Sequence, residues 1–85
     1  MQDLTKIDIH RASRRVISHL VIDKRVRWFA RVGRRWVPMT AVYRLATGLE
    51  SCHTYRAQGA LETLGVRVRR FGPKTSRRLQ VDLLF

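Results

Sequence analysis

Acidic residues are scarce in this chain, with six aspartates and glutamates against 18 lysines and arginines. Those six, Asp3, Asp8, Asp23, Glu50, Glu62 and Asp82, are scattered. No two have the spacing of an acid–base pair or a hard-cation site, so the chain reads as no enzyme. Cysteine is nearly absent: Cys52 stands alone, which rules out an internal disulfide and suits a reducing compartment. Cys52 and His53 are adjacent, which is not metal-ligand spacing, and His10 and His19 fall on different faces of one helix. Neither a metal nor a cofactor is expected. No glycine-rich phosphate loop occurs, and no small-molecule ligand is evident. Long apolar runs are also missing; none approaches the roughly 18 residues of a membrane span, and no cleavable signal pattern opens the chain. The expectation is a soluble, cytoplasmic protein with no membrane partner. Glycine and proline are few and form no linker, so the 85 residues read as one domain.

What is abundant is positive charge. A net charge of +12 on so small a domain attracts polyanions and costs the folded chain self-repulsion, which a nucleic acid relieves as it sheds its own counterions. Fifteen of the 18 cations are arginine, whose planar fork matches phosphate and the guanine edge better than lysine's point charge. Apolar residues at 45% suffice for a small core, so wholesale disorder is not expected.

Periodicity divides the chain. Ile9, Ala12, Val16, Ile17 and Leu20 recur at three- and four-residue spacing and predict a helix over Asp8–Leu20, capped by Asp8 or Thr5, with Arg11, Arg14 and Arg15 outward. Residues 24–35 fit two patterns. Val26, Trp28, Ala30 and Val32 alternate as in a strand, while Val26, Phe29 and Ala30 fit a short helix capped by Asp23 and ended by Gly33; the reading leans to the helix. An extended segment at 36–39 precedes a short helix over 40–47, with Thr40 as N-cap and Val42, Leu45 and Ala46 inward. Gly48 ends it, Ser51 caps the next helix, and Ala57, Ala60, Leu61 and Leu64 form that helix's buried stripe up to Gly65. Val66–Arg70 and Leu79–Leu84 alternate as two strands joined by 71–78.

Two short helices around a glycine turn, followed by a hairpin, give the order of a winged helix-turn-helix. The expected fold is therefore mainly α with a small β-hairpin: helix-turn-helix over about 40–64, wing over about 66–84. The second helix of such a pair enters the major groove of double-stranded DNA. Its outward side carries the candidate base contacts Ser51, His53, Tyr55, Arg56 and Gln58; Arg56 suits guanine and Gln58 suits adenine, each worth about 1–3 kcal/mol of discrimination. Candidate phosphate contacts are Arg44, Arg70, Lys74, Thr75, Arg77 and Arg78, most of them on the wing. The competing explanation of both faces is a solvated surface, although an unmixed run of cations is unusual for one. Gly59, costly inside a helix, suggests a close backbone approach or drift. Leu79, Val81 and Leu83 either pack on the chain's own core or face a second copy in a homodimer.

The stretch from Leu45 to Gly65, LATGLESCHTYRAQGALETLG, resembles bacterial repressor helix-turn-helix segments. With its size and arginine content, the whole chain is similar to the Kor group of small plasmid-encoded transcriptional repressors. Aligning Ala46 with the alanine usual in the first helix places Ser51 and Arg56 where that pattern has apolar residues. The resemblance implies a dimer on a palindromic operator that shuts off plasmid promoters. The alternative function is an RNA-binding or ribosome-associated protein, with Trp28, Phe29, Trp36 and Phe71 as stacking platforms. A third is an accessory protein that binds an acidic protein.

Overall fold

The first helix, α1 (Lys6–Ser18), starts where a side chain can satisfy its free amides. The computed structural model describes residues 4–85. In it the Thr5 hydroxyl accepts the Asp8 N–H at 3.2 Å, while the Asp8 carboxylate accepts the Thr5 N–H at 3.0 Å. Both candidate caps thus act together, Thr5 as N-cap and Asp8 three residues in, as a capping box. The helix begins and ends two residues earlier than the apolar spacing predicts. Ile9, Ala12 and Val16 are buried as expected, and Arg11, Arg14 and Arg15 are exposed.

Residues 24–35 do not form the helix toward which the spacing leans. They hold β1 (Trp28–Val32), which pairs antiparallel with β2 (Arg35–Pro38) across a two-residue turn at Gly33-Arg34. The alternation wins because it serves two faces. Ala30 and Val32 join the core with Val37 of β2, while Phe29 is buried on the opposite side of the sheet. Gly33 has φ +63°, the left-handed geometry that a tight hairpin needs at its first turn residue.

Next come α2 (Met39–Thr47) and α3 (Thr54–Thr63). Pro38, not Thr40, stands at the N-cap of α2, and no side chain caps it. Met39, Val42 and Tyr43 are its buried residues; Leu45, expected inward, is 40% exposed. α3 docks through Ala57 and Leu61, both fully buried, and burying a leucine contributes about 1.5–3 kcal/mol. Gly65 follows in the left-handed region at φ +81°.

The largest departure lies after β3 (Val68–Arg70). Residues 79–84, expected as the second strand of a C-terminal wing, belong instead to α4 (Pro73–Leu84). Proline at its first position is pre-set for a helix start. Ser76, Gln80 and Leu83, at helical spacing, are its buried residues, while Leu79 and Val81 are half-buried. Gln80 fixes the docking: its Oε1 accepts the Asp23 N–H at 2.8 Å, and its Nε2 donates to the Asp23 carbonyl at 3.0 Å and the Ser76 hydroxyl at 3.1 Å. The Ser76 hydroxyl in turn donates to the Val26 carbonyl. Without a partner strand to follow it, β3 pairs antiparallel with β1, giving a sheet in the order β2-β1-β3. Across the described residues the domain is α/β, four helices with one three-stranded antiparallel sheet. The expectation of a helix-rich chain with a small hairpin holds in that coarser form, and the hairpin lies at 28–38 instead of 66–84.

Candidate nucleic-acid interface

The corner between α2 and α3 is built on Gly48. Its φ of +77° turns the chain away from the helix while its N–H still bonds the Arg44 carbonyl at 2.8 Å. Residues 49–53 then lead into α3. Ser51, expected to cap this helix, lies exposed in the connection, and His53 occupies the N-cap without a side-chain bond to the first turn. The helix therefore starts about two residues later than the spacing suggests.

The outward face of α3 otherwise matches the buried stripe read from sequence. Tyr55, Arg56, Gly59 and Glu62 are exposed, with Thr54 and Thr63 beside them; Gln58 and Cys52 are half-buried. Tyr55 is 74% exposed, a large ring left in water, and His53 stacks on it with centroids 5.6 Å apart and planes 13° from parallel. His53, Tyr55 and Arg56 thus gather around the first turn of α3, and Ser51 precedes them in the connection. A Cβ added at Gly59 would meet nothing within 4 Å, so no neighbouring backbone of this chain accounts for that glycine.

The candidate phosphate contacts are distributed differently. Lys74, Arg77 and Arg78 are exposed and Thr75 is half-buried, all on the first turns of α4 instead of a wing tip. Arg77 shares a shallow pocket with Lys24 and Arg25, so the α4 cations extend the basic loop that precedes β1. Arg70 is exposed on β3. Arg44, on α2, lines a cleft of about 780 Å³ with Arg15 of α1. The base-contacting and phosphate-contacting candidates therefore sit on separate elements, with α4 packed on β2 and on the loop before β1.

Electrostatically the cations are left uncompensated. Among the described residues one ion pair occurs, Arg25 to Asp23 at 3.1 Å. The hydrogen bonds from the Arg25 side chain and backbone hold the Asp23 carboxyl below its ordinary value, and the same pairing raises the Arg25 guanidinium.

One set of residues that the sequence offers separately, as stacking rings and as surface cations, is joined by the fold. Arg31 stands opposite Trp36 in the β1–β2 register, with its guanidinium carbon 5.4 Å from the indole centroid. Arg69 lies the same way over Phe71, also at 5.4 Å. Phe71 meets Trp36 edge-on at 5.2 Å and Phe29 edge-on at 5.7 Å. The lean to a helix over 24–35 hid the pairing of Arg31 with Trp36, which depends on strand alternation. Arg31, Gly33 and Gly65 line one small pocket with Lys6, Ile9 and His10 of α1, so α1 lies beside both the β1–β2 turn and Gly65, two residues past the end of α3.

No helix among the described residues is long and apolar enough to cross a membrane. No protein-family model, curated protein or solved structure matches this chain.

Proposed function

We propose that this chain is a sequence-specific double-stranded DNA-binding protein of the repressor kind, with α2 and α3 as its helix-turn-helix and α3 as the helix that enters the major groove. The observation that carries this reading is the solvent face of α3. A helix held by two fully buried residues leaves Tyr55, Arg56, Gly59 and Thr63 free on one side, at the corner formed by Gly48. Its width suits the major groove, and the +12 charge supplies phosphate affinity around it. In a winged arrangement the β1–β2 hairpin, with Arg34 at its turn and Arg31 and Arg35 beside it, takes the place of the C-terminal wing. Regulation of transcription, which the sequence resemblance to Kor-group repressors implies, is the outcome this reading proposes. A second copy is the proposed protein partner, because a two-fold dimer reads a palindrome with doubled contacts. Val21, Leu45 and Leu49, apolar and exposed at the rim of the α1–α2 cleft, offer it a surface.

Selection of bound duplexes from a random pool tests the proposal, followed by titration of the enriched site against random duplex. An enriched palindrome bound about a thousandfold more tightly than random sequence is the expected result. Arg56→Ala should weaken the selected site by about 1–3 kcal/mol while leaving random duplex nearly unaffected. Equal affinity for duplex DNA, RNA and heparin would reject the proposal.

A further inference from the structure

The sheet face opposite the helical core carries five side chains in one connected arrangement. Strand alternation places Phe29 and Arg31 of β1 on that face, with Trp36 opposite Arg31 and Arg69 opposite Phe29. Phe71, two residues beyond Arg69, continues the same side, and its N–H bonds the Arg27 carbonyl at 2.8 Å to extend the ladder. Phe29 is fully buried and anchors the row; Trp36 and Phe71 are half-buried; Arg31 and Arg69 are exposed.

Both guanidiniums lie within the range at which the ring quadrupole attracts a cation. Neither has a carboxylate partner among the described residues. A guanidinium held against a ring keeps the N–H fork at its edge available, while its side chain loses the freedom that an unsupported arginine retains. Binding a phosphate then costs less ordering. The edge-on Trp36–Phe71 contact fixes the spacing between the two rings and so between the two cations.

We propose that Arg31 and Arg69 are preorganised clamps for the phosphodiester backbone of duplex DNA, with Trp36 and Phe71 as the positioning residues beneath them. This rests on the DNA-binding reading and adds to it the pairing of each arginine with a ring. In this proposal a duplex that follows α3 beyond its C-terminal end would reach the region where Arg31, Gly33 and Gly65 line one pocket with Lys6 and His10 of α1. The proposal separates these two arginines from the rest of the positive surface. Their charge alone is not what matters; their fixed geometry is.

The test is fluorescence anisotropy of a short random-sequence duplex, titrated over a range of salt concentrations with the full chain. Arg31→Lys combined with Arg69→Lys keeps both charges but removes fork and stack. It should lower affinity by at least about fivefold, the equivalent of ordering one long side chain, with an unchanged salt slope. Arg31→Ala combined with Arg69→Ala should also flatten the slope by about two, since each phosphate contributes roughly 0.9. Arg11→Lys combined with Arg14→Lys, on the exposed side of α1, should change affinity less than twofold. Trp36→Leu, with circular dichroism to confirm folding, should reproduce the lysine result without touching a cation. Wild-type protein that binds no duplex overturns the DNA-binding reading and the clamps together. Duplex binding that is indifferent to the double lysine variant overturns the clamps alone. A loss confined to single-stranded RNA assigns the face to another ligand and equally overturns them.

Discussion

Replacing Gly59 with alanine separates what α3 needs for folding from what it needs for binding. Glycine inside a helix costs about 1 kcal/mol relative to alanine, mainly through the freedom it regains on unfolding. At Gly59 the backbone is helical and a Cβ would stand in open space, so nothing in the folded chain offsets that cost. Gly59→Ala should therefore stabilise the domain by close to the full value, raising the melting temperature by roughly 4–8 °C for a chain of this size. Arg56, Gly59 and Thr63 lie at helical spacing on one exposed face. If that face enters a groove, the added methyl comes between the helix axis and the bases, and affinity for the selected site should fall while stability rises. Thermal unfolding followed by circular dichroism gives the first quantity, and anisotropy with the selected duplex gives the second. A lower melting temperature would refute the account of residue 59 as unencumbered helix. A higher one with unaltered DNA affinity would remove Gly59 from the contact face.

Two further substitutions probe the supports of the fold. Gln80→Ala deletes three hydrogen bonds, two of which satisfy the backbone of Asp23. Urea titration should show a loss of about 2–4 kcal/mol, since unsatisfied part-buried groups cost about 1–3 kcal/mol each; a loss below about 1 kcal/mol would mean that water replaces the amide. Thr5→Ala removes the capping box of α1 and should cost about 1 kcal/mol, seen as a melting temperature lower by roughly 4–8 °C.

How much of this was legible in the sequence depends on which side chains are buried. α1 and α3 could be read because their interior positions are apolar and recur at three and four residues, as with Ile9, Ala12 and Val16. α4 could not, because two of its three buried residues, Ser76 and Gln80, are polar. Their burial depends on partners at Asp23 and Val26, 57 and 50 residues away in sequence, and a hydrophobic pattern carries no trace of such partners. What remained visible was Leu79, Val81 and Leu83, whose alternation imitates a strand. Pro73 was the better clue. In β1 the difficulty was the reverse: Phe29 is buried on one face and Ala30 on the other, so apolar residues stood side by side and fitted either period. The outward face of α3 survived these errors, since it needed only the buried stripe to be right. Lys74, Thr75, Arg77 and Arg78 stand on α4 because the hairpin expected to carry them does not form, whereas Arg44 and Arg70 keep the helix and the strand expected for them.

The amide of Gln80 also bears on the order in which the chain can fold. It joins the last helix to the loop between the first helix and the sheet, a contact spanning 57 residues. A ribosome has to pass Gln80 before that loop finds its partner. Until then the Asp23 backbone stays hydrated and the stretch entering β1 has no helix against which to settle. α1, α2 and α3 draw on nearer neighbours, so this clasp is expected to close late, and protease sensitivity of the 20–27 loop should report whether it is shut.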